Sequence, residues 1–205
     1  NLKMIAIIQA RSNSKRFNNK MMKKIYGKPL ICYVIKSVKK SRKIKKIIVA
    51  TSIDKSDDRL VKYLAKIKVN YYRGDLNNVA ERLFNAARKF KAKYFMRISG
   101  DSPVIDFKII NRGINLSKKF ARYDLITNLF PRTFPKGYSV EIIKTSILQR
   151  NIHLMSKVEK EHVTKFFYKN YLKFKIKNFQ TSKKFRFNNY CIDYKSDIKR
   201  IRKLM

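Results

Sequence analysis

Apolar runs of strand length alternate with segments of helical period along most of this chain, and that alternation limits the folds open to it. Residues 4–9, 46–51, 69–72, 94–98 and 123–127 read as strands, and residues 29–40, 57–66, 77–90 and 107–118 between them as helices. In the first helix Leu30, Tyr33, Val34 and Val38 fall near one face, and in the second Leu60, Tyr63 and Leu64 form the inner side. Strands joined through helices run mostly parallel and are covered on both faces, so an α/β chain with a mostly parallel central sheet is expected. The 205 residues suffice for a single domain with a sizeable core. In such sheets ligands bind beyond the carboxyl ends of the strands, so the loops after residues 9, 51, 72 and 98 should gather on one edge.

The alternation breaks at 128–143, where two prolines and a glycine predict an extended excursion or hairpin, a candidate dimer arm. Helices are expected near 144–153 and 159–170, strands at 173–179 and 186–192, and a last helix from about residue 196.

Composition narrows the function classes. The net charge is +38, which suits attraction to phosphate backbones and keeps a basic nucleic-acid-binding module open as one reading. Lysine outnumbers arginine 36 to 15 and the basic residues are spread from end to end, a pattern that favours compositional drift over a dedicated binding stripe. Either way the field would steer an anionic substrate. No apolar run reaches the roughly 18 residues of a membrane span, and no long apolar leader opens the sequence. Cys32 and Cys191 lie far apart without metal-ligand spacing and read as reduced core thiols. These features point to a cytoplasmic protein.

With only 13 acidic residues in the chain, a carboxylate at a strand end is conspicuous. The run IAIIQA ends at Ala10 and delivers Arg11, Ser14, Lys15, Arg16 and Lys20, a loop suited to gripping a polyanion with backbone N–H groups and charge. RISGDSPVID carries Gly100, which permits a tight turn and close approach, and then Asp101 at the carboxyl edge. Asp101 is placed to hold Mg²⁺, a hard cation that takes one or two carboxylates with phosphate oxygens, while Asp106 reads as the cap of the following helix. Asp193 in CIDYKSD is a second candidate metal ligand, with Asp197 or Ser196 capping the last helix. His153 reads as a surface or packing residue. His162 stands between contact with a substrate and a structural role. No catalytic triad stands out, and the long Cys and His separations argue against a zinc site.

Taken in order, AR…S.R…K, VATS, RG before ERL, RISGDSPVID, TNLFPRTFPKGYSVEI, EKEHVT and CID resemble the spore coat polysaccharide biosynthesis protein F group. That group lies among the cytidylyltransferases that activate acidic sugars, such as the 3-deoxy-manno-octulosonate and acylneuraminate enzymes. The resemblance implies a three-layer nucleotide-sugar-transferase fold, CTP and a sugar as substrates, Mg²⁺, and commonly a homodimer. It implies that Ala10, Arg11, Ser14, Arg16 and Lys20 cradle the triphosphate and that Thr51, Ser52 and Arg73 line the nucleoside. Asp101 and Asp193 would hold the metal, with Arg11, Lys20 and Asp101 as the catalytic set. Asn128, Glu141 and His162 would fall on the sugar side. The family loop usually carries glycine–serine and leucine–proline–glycine, where this chain has Asn13 and Phe17-Asn18-Asn19. Asparagine tolerates left-handed backbone angles, so the turn can survive the exchange. A catalytically decayed nucleotide-binding relative is the further alternative, and the altered loop is its support.

Overall fold

The computed structural model describes residues 4–13, 16–119 and 122–205. Nine strands occur among them: β1 (Met4–Gln9), β2 (Lys24–Ile25), β3 (Lys28–Pro29), β4 (Ile44–Ser52), β5 (Asn70–Gly74), β6 (Tyr94–Ser99), β7 (Leu125–Thr127), β8 (Glu141–Lys144) and β9 (Ile176–Asn178). The α-helices are α1 (Leu30–Lys39), α2 (Asp58–Lys66), α3 (Val79–Lys89), α4 (Phe107–Lys119), α5 (Thr145–Asn151), α6 (Lys157–His162), α7 (Lys165–Lys169) and α8 (Asp197–Arg202).

Seven strands form one sheet in the order β5-β4-β1-β6-β8-β7-β9. β1 pairs parallel with β4 and β6, β4 with β5, and β7 with β9, while β8 runs antiparallel to both β6 and β7. Side chains along each strand alternate between two apolar layers. Met4, Ala6 and Ile8 of β1 pack with Leu30, Val34 and Val38 of α1, Leu60 and Leu64 of α2, and Ile110 and Ile114 of α4. Ile5 and Ile7 face the other way, onto Ala80, Leu83 and Ala87 of α3, Ile147 and Leu148 of α5, and Phe166 and Phe167 of α7. The three layers expected of the fold are present: a mostly parallel sheet between two layers of helix.

The sequence reading departs from the structure in three places. Glu141–Lys144 is a strand, β8, that pairs with β7 as a hairpin inside the sheet, and residues 128–140 connect the two. The segment 186–192 is not a strand, because its N–H groups bond to separate loops. Tyr190 N–H donates to Lys136 O at 2.7 Å and Ile192 N–H to Asp101 O at 2.9 Å. The expected helix 159–170 is divided into α6 and α7 at Val163, whose φ of 51° with ψ of −71° is a conformation that a β-branched residue adopts only under strain. Gly27 ends the loop region as a turn: Tyr26 (φ 46°) and Gly27 (φ 76°) join β2 to β3 with the left-handed pair that a two-residue hairpin requires.

Candidate active site

The carboxyl ends of β1 and β6 open into a cavity of about 650 Å³, lined also by the loop after β5, by the end of α6 and by Asp193. Gly100 makes this edge possible. Its N–H donates to Gln9 O at 2.8 Å, and a Cβ there would lie 2.9 Å from the Ala10 Cβ. The close approach that calls for glycine is therefore that of the protein's own first strand.

At one end of the cavity Lys20 Nζ stands 3.5 Å from Asp101 Oδ2 and 3.8 Å from Asp193 Oδ1. Arg16 Nη2 reaches Asp193 Oδ1 at 3.2 Å. Residues far apart in sequence thus meet at one point: the loop after β1, the turn after β6 and the C-terminal segment. Asp101 is not a helix cap. Asp106 is, accepting from Lys108 N–H at 2.8 Å ahead of α4. Asp193 is placed by tertiary contacts, through Ile192 to Asp101 and through Asp197, whose Oδ2 accepts from the N–H groups of Asp193 and Tyr194 at 2.9 Å each. Asp197 therefore reaches back to hold Asp193 in place of capping α8, and Ser196 makes no side-chain cap either. Asn19, before Lys20, adopts the left-handed conformation (φ 56°) and its N–H bonds to Ser12 O at 2.9 Å, so the turn closes without the family's glycine.

Two carboxylates converging on one buried cation position form an oxygen donor set that fits Mg²⁺ completed by phosphate oxygens and water. Among the described residues no cluster of three or more metal-ligating side chains occurs, so a metal held here would take its remaining ligands from phosphate and water.

Arg11 crosses the cavity to Glu161 Oε1 at 2.7 Å, with the two side chains 33% and 45% exposed. Ala10 and His162 line the cavity, and Ser14 and Lys15 lie outside the described residues. The remaining expected ligands lie away from the cavity, and all but Thr51, whose Oγ1 is buried without a hydrogen-bond partner among the described residues, are engaged elsewhere. Thr51 and Ser52 are fully buried, and Ser52 donates from N–H (3.0 Å) and Oγ to Asp57 Oδ2. Arg73 braces the loop after β4, bonding Ser52 O at 2.8 Å and Asp54 O at 3.0 Å and pairing with Asp58 at 2.8 Å. Asn128 is buried with both ends of its amide used, Nδ2 donating to Tyr138 O (2.8 Å) and Oδ1 accepting from Val140 N–H (2.9 Å). Glu141 is buried against Arg97 at 2.6 Å. None of these five lines the cavity.

Three residues that sequence reasoning passed over build the site. Asp57 accepts from Ser12 N–H at 2.6 Å and from Ser52, tying the loops after β1 and β4 together. Arg82 is buried and donates to Asp75 O (2.7 Å) and Leu76 O (3.4 Å), shaping the loop after β5. Burial first, and then the charge of Arg11, bring its guanidinium down to about 10. Gln9 lines the cavity floor. The two cysteines are free, as expected, and burial above all pushes the Cys191 thiol far up. Among the described residues no helix is long and apolar enough to cross a membrane.

A cytidylyltransferase family profile matches residues 5–205. An uncharacterised protein of Methanocaldococcus jannaschii is 31% identical over 176 residues, 85% of this chain and 71% of its own length. The spore coat polysaccharide biosynthesis protein SpsF of Bacillus subtilis is 24% identical over 210 residues, covering 98% of this chain and 85% of that protein. The structure of a cytidylyltransferase from Leptospira borgpetersenii serovar Hardjo-bovis superposes with a TM-score of 0.92 at 26% identity, covering 98% of this chain and 86% of that one. On these grounds the chain belongs to the cytidylyltransferase family, the CTP-dependent nucleotidyltransferases.

Proposed function

We propose that this enzyme transfers CMP from CTP to an acidic sugar destined for a surface polysaccharide or other glycan. The observation that carries the reading is the meeting of Lys20, Arg16, Asp101 and Asp193 at one end of a cavity that Arg11 also lines. A sugar hydroxyl oxygen attacks the α-phosphorus, the bond to the bridging oxygen of the β-phosphate breaks, and pyrophosphate leaves with that electron pair while the hydroxyl loses its proton. Asp101 and Asp193 would hold Mg²⁺, which supplies positive charge against the phosphate oxygens. Lys20, 8% exposed, offers a fixed cation where negative charge grows on the leaving group. Arg11 is free to join it. Its pair with Glu161 is half exposed, and such pairs are worth about 0–1 kcal/mol, so a polyphosphate displaces the carboxylate. Positioning and charge carry the rate, the sequence offers no distinctive side-chain general base, and the hydroxyl proton passes to solvent water.

The test supplies each nucleoside triphosphate with Mg²⁺ and a panel of acidic sugars and follows pyrophosphate. Release is expected with CTP and a sugar acid, and a fall of at least about 100-fold in Asp101→Asn with the melting temperature kept. Tight RNA binding without pyrophosphate release from any pair would overturn the reading in favour of a nucleic-acid module. A shift in melting temperature no larger with CTP and Mg²⁺ than with ATP would remove the cytosine preference.

A further inference from the structure

A polar row crosses the sheet on the face that is otherwise packed with Ile5, Ile7, Phe95, Leu125 and Ile143. It occupies four neighbouring strands. Gln9 of β1 follows Ile7, which is paired with Arg97 of β6. Arg97 stands opposite Glu141 of β8, and Glu141 opposite Thr127 of β7. The hydrogen bonds have a fixed sense. Arg97 can only donate, and it does so from Nη1 to Glu141 Oε2 (2.6 Å) and from Nε to Gln9 Oε1 (2.9 Å). Tyr168 donates to Glu141 Oε1 at 2.7 Å, which leaves Thr127 Oγ1, 2.8 Å away, as donor to the tyrosine oxygen. Arg97 also reaches Thr164 Oγ1 at 3.4 Å, just past the strained Val163 and cavity-lining His162.

A buried ion pair in an apolar layer is no stabiliser relative to well-packed hydrocarbon, so its presence calls for another reason. The row ends in the cavity, at Gln9. Because Arg97 offers only N–H groups, the Gln9 carboxamide must turn its oxygen inward. Its NH₂ is then the group presented to the cavity. Lys20 and Asp101 lie across the sheet edge, where the neighbouring Met21 packs in the opposite layer, and they claim the phosphate end. Gln9 shares its side of the sheet with α6, whose Glu161 and His162 also line the cavity.

We infer that Gln9 is a specificity-determining contact to the acceptor sugar, its NH₂ donating to a sugar oxygen, with Arg97 and Glu141 as the positioning residues that fix the amide. The inference rests on the transfer reading above. Its test compares Gln9→Leu and Gln9→Glu with the parent enzyme for KM of the sugar acid, KM of CTP and melting temperature. Gln9→Glu keeps an acceptor for Arg97 and thus the fold, but it has no donor left and sets a carboxylate against the sugar. A rise of about tenfold or more in the sugar KM of both variants is expected, with the CTP KM within about twofold and the melting temperature of Gln9→Glu unchanged or raised. A purely structural Gln9 predicts instead that Gln9→Glu behaves as the parent, and that result would overturn the inference. So would an effect confined to the KM of CTP, which would assign Gln9 to the nucleotide. Failure of the parent enzyme itself to release pyrophosphate with any sugar would instead remove the transfer reading, and this contact with it.

Discussion

At Asp57, one buried carboxylate accepts from Ser12 N–H, Ser52 N–H and Ser52 Oγ, and so joins the loops that follow two parallel strands. Asp57→Ala would leave those donors without a partner in a site closed to water. Losing hydrogen bonds to a charged group should cost about 3 kcal/mol, read as a lower urea midpoint with the slope unchanged. Arg82 presents the opposite case. It is a buried cation whose Nε and Nη2 have no hydrogen-bond partner among the described residues. Burial first of all holds its folded value down, to about 10, so the charge costs stability at neutral pH. Arg82→Met removes the charge at similar volume, so the melting temperature should hold or rise. The same change frees Asp75 O and Leu76 O, and CTP affinity measured by calorimetry should fall about tenfold as the loop loses its shape. Neither residue announces itself locally. In the sequence Asp57 is only the start of a helix and Arg82 only a residue within one, because what each serves lies in a loop at a neighbouring strand end.

At the level of elements, periodicity revealed most of the frame. β1, β4, β5 and β6 with α1 to α4 stand close to where the apolar spacing puts them, because each buries its own apolar face and needs no distant partner to be recognised. β8 was hidden. Its Glu141, read as a sugar ligand, is neutralised by Arg97 one strand away, and residue type alone cannot show whether a charge is already spent. The same holds for the charge of Arg73 and for the amide of Asn128, both of whose ends are hydrogen-bonded. Lys20, Asp101 and Asp193 were legible because each sits at a boundary between regular segments, where a charge has few structural uses. The segment before α8 shows how Asp193 is kept there. Burial works against the charge of Asp197, but the Arg200 guanidinium and the N–H groups of Tyr194 and Asp193 outweigh it and hold the carboxyl below its ordinary 3.8. A lowered folded value means that the stabilisation is complete above 3.8 and is lost as pH falls through the lower folded value. Melting curves between about pH 5 and pH 2.5 should therefore fall more steeply for the parent protein than for Asp197→Asn, which starts lower and has no such proton to take up.

Over the whole molecule the charge is large, yet the cavity itself is balanced. Among its described lining residues Arg11, Arg16 and Lys20 face Asp101, Glu161 and Asp193. Three cations against three carboxylates give no local excess to draw in a triphosphate. The attraction must come from the field of the remaining surface, which holds nearly all of the +38. Such a field acts over distances that salt shortens from about 14 Å at 0.05 M to about 4 Å at 0.5 M, whereas contacts inside the cavity are screened far less. Raising potassium chloride across that range should lift the KM for CTP about tenfold while kcat stays within about twofold, because capture weakens and the bound geometry does not. On the proposed transfer to a sugar acid, the sugar KM should respond less, since a sugar acid carries fewer charges than CTP. Equal salt sensitivity of kcat and KM would place the effect in the cavity's own ion pairs, Arg11–Glu161 first among them, and would leave the dispersed lysines without a part in catalysis.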